Sequence, residues 1–337
     1  MRQSQMERIL VIKLRYIGDV LFSTPVLRKL REHYPKSRIT CLVNAGTEDV
    51  LRHNPDVDEV LVVARGSAMS QVRFGLKLRQ RCFDCVIDLT DGDRSALLSW
   101  VSGANVRVGF NRENRWRGRL YTECVEIQDQ HRHMVDQHLQ TLSSIGTPLG
   151  EIPNPTVFVG KEDERNARDW LSESGLLERR WVMIHPAARY WFKAWPLERF
   201  ADLIDRLSAD GFMSVLVGQE QEKGEKIQAL ANAKVLSCIG RTDVLELAAL
   251  MKHAALFIGN DTGLMHIAAA VECPVIGLFG PTDPQTWGPR GKRTTVIYKG
   301  LDCRACFHPG CFRGEESCMK QIFVEEVHAS ALELLQK

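Results

Sequence analysis

The chain has 337 residues, which is long for one hydrophobic core and comfortable for two. With 44% hydrophobic and 26% charged residues it has the composition of a globular protein, and a formal net charge of +2 creates no global field that would call for a nucleic-acid partner. No run reaches the roughly 18 apolar residues of a membrane span, and "MRQSQMERILVIKLRYIGD" sets Lys13 and Arg15 against its short apolar run, unlike a secretory leader; a cytoplasmic protein is expected.

In chain order, "RILVIKL" (8–14), "RITCLVN" (38–44), "EVLVV" (59–63), "CVIDL" (85–89) and "VRVGF" (106–110) read as strands. Amphipathic stretches such as "VLFSTPVLRKLREHY" (20–34) fall between several of them. "TPLGEIPNPTVFVG" (147–160) has three prolines and no helical period, as an interdomain linker would. The alternation restarts with "RWVMIHP" (180–186), "SVLVG" (214–218), "VLSCIG" (235–240), "ALFIGN" (255–260) and "PVIGLFG" (274–280), with helical patterns in "LERFADLIDRLSADG" and "VLELAALMKHA". Repeated βαβ patterning predicts an α/β protein of two Rossmann-like domains, each with a parallel sheet, facing a central cleft. The expected boundaries are 1–155, 160–322 and a closing helix over 323–337. No G-x-G-x-x-G is present, which argues against a dinucleotide dehydrogenase.

Ligands of such sheets sit beyond the carboxyl ends of the strands, and three loops there carry chemistry. In "KLRYIGDVLFSTP", Gly18 permits a tight turn and Asp19 is either the N-cap of the next helix or a general base. In "LFIGNDTGLMHIAAAV", Asp261 would cap a helix whose first turn exposes the amides of Thr262 and Gly263, with His266 one turn in, an arrangement that attracts phosphate. In "IHPAARYWFKAWPLERF", Arg189 and Lys193 supply cations that could neutralise a departing diphosphate without a metal.

Taken together and in order, "GDVLFSTP", "HPAARYWFKAWP", "GRTD", "NDTGLMHIAAAV" and "LFGPTDP" resemble the bacterial lipopolysaccharide heptosyltransferases, glycosyltransferase family 9, from about residue 8 to about residue 322. The Arg189–Trp195 segment and "DLTD" at 88–91 look most like the heptosyltransferase III subgroup. The resemblance implies a GT-B fold with the acceptor on the N-terminal domain and ADP-heptose on the C-terminal one. It also implies an inverting transfer from ADP-L-glycero-D-manno-heptose to an inner-core heptose, needing no cofactor beyond the donor itself. It makes Asp19 the catalytic carboxylate and Lys193 the essential lysine near the diphosphate. Asp261, Thr262, Gly263 and His266 would form the donor segment, with Thr242 near the adenine and Glu222, or its rival Glu220, near the ribose. A last helix crossing back onto the first domain belongs to the same pattern. The chain departs from it at Ala187 and Ala188, where family members often carry hydroxyls that touch phosphate. The competing readings are an epimerase-like nucleotide-sugar enzyme and an ADP-sugar-binding protein without activity.

"RVGFNRENRWRGRLY" sets five arginines, Arg107, Arg112, Arg115, Arg117 and Arg119, against one Glu113. The bland reading is a solvated loop; the functional one is contact of Arg112, Arg115, Arg117 and Arg119 with an anionic glycolipid acceptor, and of Trp116 with the inner face of the cytoplasmic membrane. His133 matches a family position but receives no role. Of ten cysteines, Cys41, Cys85, Cys124, Cys238 and Cys273 lie in strand-like apolar contexts and Cys82 flanks a strand start, all read as packing. Cys303, Cys306, Cys311 and Cys318, with His308 among them, have only one zinc-like pair spacing, so no metal is assigned.

Overall fold

The computed structural model describes residues 6–63, 66–303, 306 and 310–336. The chain divides into two compact units, Met1–Phe158 and Val159–Lys337, so the break falls inside the proline-bearing segment read as a linker.

The first unit runs β1 (Arg8–Lys13), α1 (Ile17–Leu21), α2 (Thr24–His33), β2 (Arg38–Asn44), β3 (Glu59–Val63), α3 (Ala68–Arg79), β4 (Cys85–Asp88), α4 (Asp93–Val101), β5 (Val106–Phe110), β6 (Glu123–Val125) and α5 (Met134–Ser143). All strands pair in parallel, in the order β3-β2-β1-β4-β5-β6. β1 and β4 are buried almost end to end, as a central parallel strand covered on both faces must be. One core cluster gathers Leu10, Ile12, Leu42, Val86, Leu78 and Leu98, which ties α3 and α4 to the sheet. The amphipathic stretch 20–34 is two helices, because the chain turns at Phe22–Ser23 before Pro25 opens α2 at one of its first positions.

The second unit runs α6 (Lys161–Glu173), β7 (Trp181–His185), α7 (Leu197–Ala209), β8 (Met213–Leu216), α8 (Gln221–Leu230), β9 (Val235–Ser237), α9 (Val244–Met251), β10 (Leu256–Asn260), α10 (Gly263–Ala270), β11 (Val275–Phe279), α11 (Pro284–Trp287), β12 (Thr294–Tyr298) and α12 (Val324–Gln336). Its strand order, β12-β11-β10-β7-β8-β9, repeats that of the first sheet, and all pairs are again parallel. The strand order reverses between β1 and β4 in one sheet and between β7 and β10 in the other, so each unit has its own ligand crevice at the carboxyl ends of those strands.

α12 belongs to the second unit. Val324, Val327, Ala331, Leu334 and Leu335 join Phe200, Leu203 and Leu207 in that unit's core. The helix expected to cross back to the first domain thus buries its apolar stripe on α7, β10 and β11. Among the described residues, no helix is long and apolar enough to cross a membrane.

Candidate active site

In the first unit the crevice begins where β1 ends. Asp19 is the third residue of α1, and the N-cap is Tyr16, so the capping role is not what places the carboxylate there. Gly18 is a buried helical residue and not the site of a left-handed turn. The Asp19 carboxylate, 17% exposed, lies 3.3 Å from Lys13 Nζ at the end of β1. Lys13 is buried, and its Nζ also donates to the Leu89 carbonyl (2.8 Å) and meets His138 Nε2 (3.1 Å). His138 Nδ1 lies 3.1 Å from the Phe22 carbonyl, which can only accept; the neutral tautomer with Nδ1–H therefore leaves Nε2 to accept from Lys13. All three ammonium protons of Lys13 then have acceptors, and Asp19 is one of them. Burial pushes the Lys13 pKa down, opposed by the Asp19 charge, while burial and the Lys13 charge hold the His138 imidazole well below its ordinary value.

The arginine-rich segment divides into two kinds of residue. Arg117 is 2% exposed and bonds Asp91 (2.9 Å), Glu113 (3.0 Å) and Asp93 (3.2 Å), so it holds the turn Trp116–Leu120 against the "DLTD" segment and cannot reach an acceptor. Arg107 likewise closes on the Leu120 carbonyl (2.8 Å). Arg112, Arg115 and Arg119 instead border a cavity of about 890 Å3 together with Trp116 and Gln130. Arg112 bonds Gln137 Oε1 (3.0 Å) and lies over the Phe110 ring, 4.9 Å from its centre. His133 is the N-cap of α5, its Nδ1 accepting from Val135 N–H at 3.2 Å.

In the second unit α10 begins at Gly263 and its N-cap is Thr262, one residue later than expected. Asp261 is therefore free of capping; its carboxylate takes the Lys193 ammonium at 2.5 Å. Thr262 Oγ1 is buried and has no hydrogen-bond partner among the described residues. Such a hydroxyl costs about 1–3 kcal/mol unless something fills its valence. His266 is buried one turn into α10. The helix start and the loop after β7 are tied together by Asn260, fully buried at the end of β10. Its Oδ1 accepts from Trp195 N–H (3.0 Å), and its Nδ2 donates to the carbonyls of Pro186 (2.9 Å) and Ala187 (3.3 Å). Trp195, itself buried, anchors the far end of the loop by donating Nε1–H to the Ile322 carbonyl at 2.9 Å. Lys193 is thereby held in a short turn, Trp191–Lys193, between two fixed points. Arg189 is exposed in the same loop and lies 5.6 Å from the centre of the Tyr190 ring.

Of the two acids proposed near a ribose, Glu222 is 82% exposed and paired with Lys226 on α8 (3.0 Å). Glu220 sits instead in the loop after β8, at the N-cap of α8, with its carboxylate near Gly218 and the His185 ring. Gly218 is required there: its φ is +131°, and a Cβ would meet the His185 ring at 3.0 Å. Thr242 falls in the loop between β9 and α9, where its hydroxyl faces the Cys238 thiol.

Cys41, Cys85, Cys238 and Cys273 are buried as expected, whereas Cys124 and Cys82 are exposed; Cys124 is on the edge strand β6, and Cys82 takes a left-handed conformation (φ 51°) in the turn before β4. Cys306, Cys311 and Cys318 border a cavity of about 240 Å3 beside Trp191 and Phe192. No group of three or more His, Cys, Asp or Glu side chains stands ready to hold a metal among the described residues, and His308 lies outside them.

Residues 71–315 match the model of glycosyltransferase family 9 (heptosyltransferase). The chain is 31% identical over 305 residues to lipopolysaccharide heptosyltransferase 3 of Escherichia coli, covering 85% of this chain and 87% of that protein. Among solved structures, the ADP-heptose lipopolysaccharide heptosyltransferase II of E. coli superposes with a TM-score of 0.81 at 23% identity, covering 98% of both chains. E. coli heptosyltransferase WaaC with ADP-2-deoxy-2-fluoro heptose superposes with a TM-score of 0.74 at 23% identity, covering 97% of this chain and 99% of that one.

Proposed function

From the premise that this chain belongs to glycosyltransferase family 9 and is a glycosyltransferase of GT-B fold, we propose that it transfers a heptose from ADP-L-glycero-D-manno-heptose to a heptose of the lipopolysaccharide inner core, inverting the anomeric carbon. The observation that carries this reading is the start of α10, where a cation, free amides and an unfilled buried hydroxyl converge. Lys193 stands at Asp261, Gly263 opens the helix, and Thr262 Oγ1 waits without a partner. A diphosphate supplies what that place lacks: oxygens that accept from the hydroxyl and the first-turn amides, and negative charge for the lysine. Two of the relatives point the same way, one named for lipopolysaccharide heptose transfer and one holding an ADP-heptose analogue.

An acceptor hydroxyl is a poor nucleophile, so a carboxylate must take its proton as the bond forms. Asp19 is that base in this reading, steered by the Lys13 ammonium. The sugar passes through an oxocarbenium-like state while ADP departs, and Lys193, Arg189 and the amides of α10 take up the growing charge. Lys193 must turn from Asp261 toward the diphosphate, and Asp261 then keeps it within reach. A single displacement gives inversion, and the reading needs no metal because the chain supplies the cations. Arg112, Arg115 and Arg119 bind the anionic groups of the acceptor, a glycolipid met at the inner face of the cytoplasmic membrane.

The test is incubation of the purified protein with ADP-heptose and heptosylated Kdo-lipid A, following ADP release and the mass of the product. One added heptose with acceptor-dependent ADP release is expected. Conversion of the donor alone would indicate an epimerase-like enzyme, and ADP binding without turnover an inactive binding protein.

A further inference from the structure

The helices α3 and α4 of the first unit lie side by side and leave an apolar groove of about 590 Å3, lined by Val72, Gly75, Leu76, Leu97, Leu98 and Val101. Met69, Val72 and Leu76 recur at three- and four-residue spacing, so they share one face of α3; Leu97 and Trp100 extend the patch along α4. This face is turned outward: Met69 is 62%, Leu76 58% and Trp100 53% exposed. A contiguous exposed apolar patch of this kind marks an interaction surface. Its charge names the partner. α3 carries Arg73, Lys77 and Arg79, all exposed, and no acid, while Arg94 borders the groove and donates to Gln71 at 2.9 Å. Residues 60–83 contain five Lys or Arg and no Asp or Glu. A second copy of the chain would set these cations against one another, and a nucleic acid would leave the apolar stripe unsatisfied. A bilayer with anionic headgroups satisfies both.

We propose that the α3–α4 face docks this protein onto an anionic phospholipid bilayer, with Met69, Leu76, Leu97 and Trp100 entering between headgroups and Arg73 and Lys77 lying over the phosphates. The inference rests on the reading of the acceptor as a membrane-held glycolipid, and the groove shares no lining residue with the arginine-lined cavity.

Cosedimentation of the full chain with vesicles of equal parts phosphatidylcholine and phosphatidylglycerol tests it, against vesicles of phosphatidylcholine alone. Binding to the anionic vesicles is expected, at least about tenfold weaker for the neutral ones and falling as salt screens the cations. The paired substitutions Leu76→Asp with Leu97→Asp, and Arg73→Gln with Lys77→Gln, are each expected to weaken it about tenfold or more. Turnover on a deacylated, water-soluble acceptor should stay at the parental rate and reports that the variants are folded. Equal binding by parent and both variants overturns the proposal, as does a parent that ignores anionic vesicles. A parental dimer that Leu76→Asp with Leu97→Asp converts to monomer also overturns it, since the face would then be covered by a second copy. If docking fails while the soluble acceptor is still glycosylated, only the docking surface is wrong; if the parent glycosylates neither acceptor, the transfer reading itself falls.

Discussion

Three side chains of the first unit share one proton economy: Asp19 accepts from Lys13, Lys13 donates to His138, and His138 donates to a backbone carbonyl. Replacing Asp19 by Ala should lower kcat by about 10²- to 10⁴-fold, the usual range for a lost general base, while ADP affinity measured by calorimetry stays unchanged. Near wild-type turnover would remove Asp19 from the mechanism. Lys193→Ala should raise KM for the donor and lower kcat by about 10²- to 10³-fold, because the proposed mechanism uses its charge both in binding and in the departure of ADP. The imidazole of His138 gives a stability prediction. Its folded-state pKa is depressed, so below the ordinary value of about 6.5 the unfolded chain takes up a proton that the folded chain refuses. Stability should therefore fall as pH drops below that value, and His138→Asn should flatten the fall; denaturant midpoints across pH 5 to 8, roughly the histidine range, measure both. Asp19 and Lys193 could be singled out from their loops and their resemblance to a family. Lys13 and His138 could not, because nothing in either's local sequence points to a partner 125 residues away.

The turn Trp116–Leu120 shows how one charged segment holds residues of opposite kinds. Arg117 is buried against Asp91, which keeps only the longer Arg112 pair (3.7 Å) once it is gone, while the exposed Asp93 and Glu113 keep Arg115; Arg117→Ala should therefore cost about 1–3 kcal/mol in thermal or chemical unfolding. Arg119→Ala, at an exposed position, should leave stability within about 0.5 kcal/mol and instead raise KM for the acceptor. Sequence alone gives all five arginines the same appearance; the difference lies in the fold of residues 88–93 beneath them. The same limit governs the strands. Ten were legible because they are runs dominated by apolar and β-branched residues, whether mostly buried, as β2 and β10 are, or at a sheet edge, as β3 is. β6 and β12 were not, since β6 is only the three residues Glu123–Val125 and β12 opens on two threonines and ends on the exposed Tyr298. α8 was missed for a related reason: it buries only Gly224 and Ile227, too few positions to show a helical period.

At the scale of the molecule, α12 completes the core of the second unit, where it packs with Phe200 and Leu203. Residues 159–337 produced alone should therefore unfold cooperatively and bind ADP within about tenfold, or 1.4 kcal/mol, of the whole chain. Calorimetry checks it, and a collapsed, ADP-blind fragment would show that the second unit depends on the first. The two-unit α/β organisation was readable from the paired blocks of alternation and the prolines between them. Which unit would enclose the last helix was not, because an apolar stripe in a sequence does not say which surface covers it. The matching strand order of the two sheets makes the molecule two units of one topology, divided at a single point in the chain. In the proposed reading one unit takes the proton and the other presents the sugar, so descendants could change the sugar they deliver by rewriting the second unit while the first keeps its acceptor. Hybrids spliced near residue 158 from relatives would be the natural currency of that divergence.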